Sequence, residues 1–385
     1  MNYVPLHVHT MLSNGVTNVD SVTSYKDYVA AAKELGMTAI AFTEHGSVFE
    51  YLHKKEAVEA AGMKYIHGIE AYVTETIDPE NKVRDNYHVI LLAKNYDGFL
   101  EINRLASRAF NKTDGHFYYT PRITYAELTS TSQNVLIMTA CLGGILSKGN
   151  ERIKGWFTDF IRRNKERCFL EIQPHLAAEQ AEYNSELYEF AKQYGIKLVA
   201  TNDTHSLDER HARGRAILQK AKNVSFPDEE SWDLTFKSYE DMCSAFKKQR
   251  SLPTEVYLEA IDNTNYVASL VEEFTIDRSP KYPKIYENPE KVFWDKIEAS
   301  ANNHPYLTKR YEKNELLKVL RNEFEVYKKC GSIDFMLLQS YLREWEHKND
   351  IWCGPGRGSV SGSLIAYTLG ITQMDSIKFD LNFFR

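Results

Sequence analysis

Short apolar runs alternate with amphipathic stretches over about the first 205 residues of the chain. The apolar runs predict seven strands, at residues 4–8, 39–43, 69–73, 88–93, 135–139, 168–172 and 198–201. The stretches between them predict helices, at residues 24–35, 48–61, 98–110, 153–163 and 178–194. The strands are continuously apolar, which is typical of strands covered on both faces. The pattern therefore predicts an α/β fold, with a parallel β/α barrel or a doubly wound sheet.

Side chains of the metal-ligand type follow the ends of four of these runs. They are His7 and His9 after the first run, Glu44 and His45 after the second, Cys141 after the fifth, and Asp203 and His205 after the last. In a parallel β/α barrel the carboxyl ends of the strands share one face, and that face carries the chemistry. We therefore expect these side chains to meet at one rim.

Two pairs and one carboxylate are the best metal-ligand candidates. His7 and His9 stand two residues apart and so share one face of a strand. Asp203 and His205 repeat that spacing. Glu70 lies inside the apolar stretch HGIEAYV, where an unpaired carboxylate would be costly, so a metal or another cation is expected beside it.

Other candidates leave more than one interpretation open. His88 begins its strand instead of ending it, so spacing alone does not separate a ligand from an ordinary histidine. Cys141 could be a buried thiol, the usual state of a single cysteine. Glu44 is typical of a helix N-cap or of a carboxylate that supports a ligand. The remaining histidines are interpreted as surface or core residues and the tryptophans as packing residues, among them His53, His67, His116, His175, His211, His304, His347, Trp156 and Trp232.

The mixture of ligand types indicates the metal and the chemistry. Imidazoles with carboxylates and one thiolate suit zinc, manganese or iron better than magnesium or calcium. More than four ligands imply more than one ion. A multinuclear site lowers the pKa of a bound water and holds the oxygens of a phosphoryl group. The first half of the chain therefore predicts metal-dependent phosphoester hydrolysis.

Composition sets broad limits on the function. The chain has 385 residues, with 43% hydrophobic and 26% charged residues and a net charge of −6. These values are typical of a globular protein of two domains, and the charge neither supports nor excludes a DNA partner. No apolar run is long enough for a membrane span, and no signal peptide is visible. Five cysteines without paired spacing indicate a reducing cytoplasm.

The second half of the chain has a different pattern. Helices and loops follow residue 205, with Phe226-Pro227 and Leu252-Pro253 as breakers. An extended, proline-punctuated stretch at 278–289 predicts a boundary, giving domains 1–275 and 276–385. An amphipathic helix is predicted over 314–329, with Gly331 as its stop.

A glycine-rich stretch at 352–359 precedes a predicted helix at 360–369. Such a turn at a helix N-terminus exposes backbone N–H groups to an anion, usually a phosphate. Arg357 would add a bidentate charge, and Ser359 and Ser363 would add hydroxyls. The stretch could also be only a tight connection, and it is not a Walker A loop because no Gly-Lys-Ser/Thr follows.

Taken in order, these stretches resemble a known family. LHVHT, TEHG, GIEAYV, YHVILLAKN, FYYTPRITYAEL, TACLGG and VATNDTH resemble the PHP (polymerase and histidinol phosphatase) domain. The version they resemble is the one in bacterial replicative DNA polymerase III alpha subunits. GPGRGSVSGSLIAYTLGIT is similar to the opening of the palm in that family. The resemblance covers essentially the whole chain.

The resemblance implies a seven-stranded β/α barrel with two to three divalent metals at its rim, followed by the beginning of an α+β palm. Matched position by position, the metal ligands are His7, His9, Asp20, His45, Glu70, His88, Cys141, Asp203 and His205. Asn14 competes with Asp20 for its place in that set. His7, His9, Asp203 and His205 are expected to carry the catalysis.

The resemblance also implies a substrate and partners. An intact barrel suggests a 3′–5′ exonuclease acting at a primer end, with replisome proteins such as a sliding clamp and an exonuclease subunit as partners. In the complete polymerase, with magnesium, the triphosphate of a dNTP would be held by Gly356, Arg357, Gly358, Ser359 and Ser363. The chain stops before the family's catalytic aspartates, and LLQSYLREW lacks an expected Asp near Ser340, so we expect no DNA synthesis by this chain alone.

Two alternatives stand beside this interpretation. The chain could be a free-standing PHP phosphatase that acts on small phosphate esters, but the GPGRGS segment is unexpected in such an enzyme. It could also be an inactive metal-binding scaffold, but the full set of ligand residues argues against that.

Overall fold

The chain forms two compact units, Met1–Thr275 and Ile276–Arg385. The computed structural model describes residues 3–15, 19–80, 82–224, 232–279, 281–356 and 358–383. The sequence breaker Phe226-Pro227 and the predicted nucleotide contact Arg357 lie outside these residues. None of the helices within them is both long and apolar enough to span a membrane.

The first unit is built on one curled, mixed sheet. Its strands are β1 (Ala39–Phe42), β2 (Lys64–Thr74), β3 (Tyr87–Ala93), β4 (Phe117–Tyr118), β5 (Thr120–Thr124), β6 (Val135–Met138), β7 (Cys168–Ile172) and β8 (Leu198–Ala200). The path through the sheet is β4-β5-β2-β3-β6-β7-β8, and β1 pairs with the first half of the long strand β2. The α/β class predicted from the sequence is confirmed, but β4 and β5 were not predicted.

The N-terminal segment joins the two sides of this sheet. The amide of Ala41 donates to the carbonyl of Pro5, and the amide of Thr43 donates to the carbonyl of Val8. On its other side, the amide of Thr204 donates to the carbonyl of His7. Residues 4–8 therefore lie between β1 and the segment after β8, as a barrel strand would. The predicted strand at 4–8 is not a regular one, because its pairing with the segment after β8 is a single bridge between Val8 and Thr204.

Strand β3 corrects the expectation of an all-parallel sheet. It runs antiparallel to both of its neighbours, β2 and β6. The pairings of β1 with β2, β6 with β7 and β7 with β8 are parallel, as predicted. Because β3 is reversed, its beginning lies at the rim where the parallel strands end.

Helices flank the strands, and an apolar cluster fills the space inside. The helices of this unit are α1 (Tyr25–Glu34), α2 (Tyr51–Ala60), α3 (Tyr96–Ala109), α4 (Tyr125–Thr129), α5 (Ile145–Lys148), α6 (Glu151–Arg163), α7 (Ala178–Tyr194), α8 (Glu209–Ala221), α9 (Tyr239–Gln249) and α10 (Thr254–Leu270). The cluster includes Ala41 of β1, Phe169 of β7 and Val199 of β8. Each precedes the polar residues of its strand end, so the chain passes from core to rim along these strands.

The regular secondary structure in the described residues of the second unit is all helical. It contains α11 (Pro289–Asn303), α12 (Leu307–Arg310), α13 (Lys313–Lys329), α14 (Ile333–Lys348) and α15 (Leu364–Thr368). The predicted helix 314–329 is confirmed, and Gly331 follows it with a left-handed φ of 63°. Any strand of the expected α+β palm lies outside the residues described for this unit.

The predicted helix at 360–369 is wrong in its first part. Gly358–Gly362 forms a 3-10 helix, and α15 begins only after Ser363, whose hydroxyl accepts a hydrogen bond from the amide of Ala366. A close approach of two chain segments coincides with the break. A Cβ at Gly362 would lie 2.4 Å from the carbonyl oxygen of Asn382, so the chain crosses itself at this glycine.

Candidate metal centre

The structure brings all nine predicted metal ligands together at one rim of the curled sheet. Their ligand atoms form three groups, each within 4.8 Å: His9, His45 and His205; His7, His9, Glu70 and Asp203; and Glu70, His88 and Cys141. Asp20 adjoins the first group, because its Oδ2 lies 2.5 Å from Nε2 of His45 and 3.0 Å from Nε2 of His205. His9 and Glu70 each belong to two groups.

Glu70 lies at the centre of the arrangement. Its Oε2 is 2.8 Å from Nε2 of His7 and 3.3 Å from Nε2 of His9. Its Oε1 is 3.0 Å from Nδ1 of His45 and 3.1 Å from Nδ1 of His88. The side chain is fully buried in β2, so the carboxylate that looked costly in the sequence faces four imidazoles.

Asn14 and Asp20, the two competing positions, have different roles. The side-chain oxygen of Asn14 accepts hydrogen bonds from the amides of Asp20 and Ser21, at 2.6 and 3.0 Å. Asn14 therefore holds the backbone at Asp20 and Ser21, and Asp20 faces the centre. The other oxygen of Asp20 pairs with Arg215, a partner that the sequence did not reveal.

His88 and Cys141 come from neighbouring antiparallel strands. Because β3 is reversed, His88 near its start faces Cys141 just after β6, and Nδ1 of His88 lies 3.4 Å from Sγ of Cys141. Gly143 makes this approach possible, since a Cβ there would lie 2.7 Å from Nδ1 of His88. His88 begins its strand and still reaches the rim, because β3 runs in the opposite direction to its neighbours.

Buried acceptors fix the protonation pattern of the imidazoles. Nδ1 of His7 donates to Oε1 of Glu171 at 2.6 Å, and Nδ1 of His205 donates to the carbonyl of Asp203 at 2.8 Å. In the neutral rings, Nε2 of both histidines is then left with a free lone pair.

His9 is oriented through a longer chain of bonds. Lys54 donates to Oε1 of Glu44 at 2.6 Å, and the hydroxyl of Ser13 donates to Oε2 of Glu44 at 2.5 Å. Since the hydroxyl proton of Ser13 points to Glu44, its oxygen accepts from Nδ1 of His9 at 3.2 Å. Glu44 is therefore a supporting carboxylate, one of the two roles the sequence left open. Lys54 and Ser13 were not anticipated.

The centre fits a cation. Nε2 of His7 lies 3.0 Å from Nε2 of His9, and these nitrogens lie 3.1 and 3.2 Å from Oδ1 of Asp203. Oδ1 of Asp203 has no hydrogen-bond donor among the described residues. Two imidazole nitrogens and one carboxylate oxygen thus lie within 3.2 Å of one another, which is the kind of donor set that a divalent metal ion binds.

The pKa values reflect the same concentration of charge. Burial alone would lower the pKa of His7, but the carboxylates of Asp203 and Glu171 raise it well above its usual value. Burial would raise the pKa of Glu70, but His88 and His45 lower it well below its usual value. Burial, with Asp203 and Glu70 nearby, raises the pKa of the Cys141 thiol. A thiolate at this position would need a cation beside it.

Two non-glycine residues at the rim have left-handed backbone. Ala140 (φ 61°) directly precedes Cys141, and Asp203 has φ 49°. Such conformations cost about 1–3 kcal/mol and persist where the surroundings impose them, often at functional sites.

The glycine-rich stretch of the second unit differs from expectation at its helix end. The carboxylate of Glu323 accepts hydrogen bonds from the amides of Leu364 and Ile365, at 2.9 and 3.0 Å, and from the hydroxyl of Ser363 at 2.7 Å. The anion at the start of α15 is therefore a protein carboxylate, and Ser363 is not free to contact a phosphate. Gly356, Gly358 and Ser359 remain predictions.

Glu171 provides a test of how far the buried acceptors control metal binding. Its Oε1 also accepts from the hydroxyl of Thr201 and the amide of Gln173, at 2.5 and 2.9 Å. Glu171→Ala should weaken metal affinity by about 10–100-fold, the usual effect of losing such a partner. Glu171→Gln keeps an acceptor and should weaken it less.

The measurement is a Co²⁺ titration followed by absorption, with Glu189→Gln as the control because its side chain is 69% exposed. Equal affinity in wild type and Glu171→Ala would show that His7 is oriented by packing alone.

Comparison with known proteins identifies the class. Residues 5–175 match the PHP domain, and residues 290–385 match the bacterial DNA polymerase III alpha NTPase domain. The curled sheet with its rim of ligand side chains is therefore a PHP domain, as the sequence motifs indicated.

Proteins similar to the whole chain indicate a more specific group than the PHP domain alone. DNA polymerase III alpha subunits align with the whole chain: that of Aquifex aeolicus is 31% identical, that of Borreliella burgdorferi 30% and that of Treponema pallidum 30%. Over its whole length the chain is therefore similar to bacterial DNA polymerase III alpha subunits. It covers 35%, 34% and 33% of their respective lengths, so it spans about a third of the relatives it matches.

The chain also has a weak similarity to a solved structure of a metal-dependent phosphoesterase from Bifidobacterium adolescentis. The TM-score is 0.37 at 14% identity, over 53% of this chain and 87% of that one. This similarity is too low to add to the argument.

Proposed function

We propose that the first unit is a metal-dependent phosphodiesterase that removes nucleotides from the 3′ end of a DNA primer. One observation carries the proposal: nine side chains of the metal-ligand type converge at one rim of the curled sheet. The match to DNA polymerase III alpha subunits supports DNA as the substrate.

The residues of the rim would act by binding divalent metal ions and orienting them towards the phosphate. Two or three divalent ions of zinc, manganese or iron would lower the pKa of water and neutralise charge on the phosphate. The ions would be bound by His7, His9, Asp203 and His205. For the three histidines, hydrogen bonds from Nδ1 to Glu171, to Ser13 and to the carbonyl of Asp203 leave the Nε2 lone pairs free for a metal. Glu70 would contact more than one ion, because its two oxygens face different groups.

The second unit would act only in a longer polymerase. We propose that Gly356, Arg357, Gly358 and Ser359 contact the triphosphate of a dNTP there, together with magnesium. Ser363 would first have to leave Glu323. A primer-template, a sliding clamp and a separate exonuclease subunit are the partners this assignment implies.

The decisive experiment compares two substrates. The protein, reconstituted with Mn²⁺ or Zn²⁺, is incubated with a 5′-labelled primer-template and separately with p-nitrophenyl phosphate. We expect stepwise shortening of the primer from its 3′ end, loss of that activity after chelation, and little hydrolysis of the monoester. Preferred hydrolysis of the monoester would instead support a small-molecule phosphatase. A metal-loaded protein inactive on both would support a scaffold.

A further inference from the structure

A cavity of about 290 Å³ lies at the same rim as the metal centre and has no role in the account above. It is bounded by the residues that follow β7, by Asn202 after β8, and by residues 233–248. Asn202 directly precedes the predicted ligand Asp203. The cavity and the metal centre therefore share one backbone segment.

Two buried polar side chains in its lining lack partners. His175 is 2% exposed, and neither of its ring nitrogens has a hydrogen-bond partner among the described residues. The same is true of Oδ1 of Asn202, which is 1% exposed. Buried polar groups are nearly always satisfied, and leaving one unpaired costs about 1–3 kcal/mol. Both side chains are therefore available to a ligand.

The side-chain amide nitrogen of Asn202 already has hydrogen-bond partners. It donates to the carbonyls of Asp233 and Thr235, at 3.0 and 2.8 Å. The side-chain oxygen is the group left to accept a hydrogen bond, and it would complement an N–H or O–H donor.

The charge in the lining is balanced. Lys237 donates to Asp233 at 2.6 Å, and the other charged side chains of the lining are Lys248 and Asp241. Burial lowers the pKa of His175 to about 4, so the imidazole is uncharged at neutral pH. A cavity without net positive charge is a poor phosphate site.

The walls favour a flat ligand. Pro174, Leu176 and Phe236 contribute apolar surface, and His175 is stacked on Trp232 with ring centroids 4.9 Å apart and an interplanar angle of 4°. Apolar walls with a few placed polar groups are typical of sites for small organic ligands, and this volume lies near the lower end of their range.

We propose that this cavity binds the nucleoside, base and sugar, of the nucleotide whose phosphate lies at the metal centre. His175 and Asn202 would recognise it by hydrogen bonds, and Phe236 would contact its ring. This inference rests on the proposed phosphodiesterase function, since it supplies the nucleotide. It assigns to His175 a binding role, where the sequence predicted an ordinary surface or core residue.

The test is equilibrium binding of thymidine and of deoxyadenosine to the metal-loaded protein, followed by saturation-transfer NMR. Nucleosides carry no phosphate, so their binding is measured without the phosphate contacts of the metal centre. We expect saturable binding, weakened by about 10–100-fold in His175→Ala or Asn202→Ala, the equivalent of one lost buried hydrogen bond. Ala245→Phe, which adds bulk from α9, should weaken binding without removing either polar group. His53→Ala, with a 66% exposed side chain, is the control.

The outcomes separate this proposal from the proposed function. Metal content and primer shortening are measured on the same samples. If wild type shortens primers but binds neither nucleoside, the cavity proposal is overturned while the phosphodiesterase stands. If nucleosides bind but primers are not shortened, the proposed phosphodiesterase function is overturned, and the cavity keeps nucleoside binding without a role in primer cleavage. Unchanged binding in all three cavity variants would also overturn it.

Discussion

His9→Ala should lose phosphodiesterase activity by at least about 100-fold, more than the 10- to 100-fold that loss of a supporting residue typically costs. His9 belongs to two of the three ligand groups, so its removal weakens both. It is also stacked between His45 and His205, with ring centroids 4.0 and 4.4 Å away. We therefore expect a lower metal content per chain as well as slower cleavage.

Elemental analysis after purification without chelator and the primer assay measure the two effects together. His53→Ala is again the matched control, because it removes an imidazole from an exposed position on α2. Nuclease activity that survives His9→Ala undiminished would mean that the activity belongs to another site or to a contaminant.

Lys54→Met should destabilise the first unit by about 3–5 kcal/mol, the usual result of removing one partner of a buried ion pair. Lys54 and Glu44 are both 1% exposed, and Glu44 would be left as a buried charge without its cation. The double variant Glu44→Gln with Lys54→Met removes that charge and should recover part of the loss. Lys33→Met, an exposed position on α1, should change stability by less than about 0.5 kcal/mol.

Urea unfolding of the metal-free protein measures these differences, and its pH dependence adds a second readout. Burial would raise the pKa of Glu44, but Lys54, Ser13 and Thr10 lower it from 4.5 to about 2. The resulting stabilisation is present above pH 4.5 and is lost as the pH falls towards 2. The double variant should lose less stability over this window than wild type. Equal losses would show that the pair is not the source.

Much of the site could be predicted because strand ends are visible in a sequence. His7, His9, His45, Asp203 and His205 were located by the point at which an apolar run stops. Glu70 was located by the cost of a carboxylate inside such a run. The same argument applies to Glu171 in CFLEI, where it would have revealed the partner of His7.

The features of the site that could not be predicted depend on contacts between distant segments of the chain. The reversed direction of β3 decides the position of His88, and no local pattern encodes the direction in which two strands pair. Lys54 lies on α2 and looks like an ordinary surface lysine until the helix is packed against Glu44. Glu323 binds the start of α15 from another helix, α13. The sequence showed which residues were costly to bury but not which partners would relieve the cost.

The position of the N-terminal segment has a consequence for the order of folding and metal binding. The backbone that carries His7 and His9 pairs with Thr204, which is almost 200 residues away along the chain. Contacts between such distant positions form slowly, because a long loop must close first. Metal binding would then stabilise the contacts that form last in folding. In the metal-free protein the N-terminal segment should therefore be the first to open. Hydrogen exchange at Val8 and His9, compared with and without added metal, would reveal that order of events.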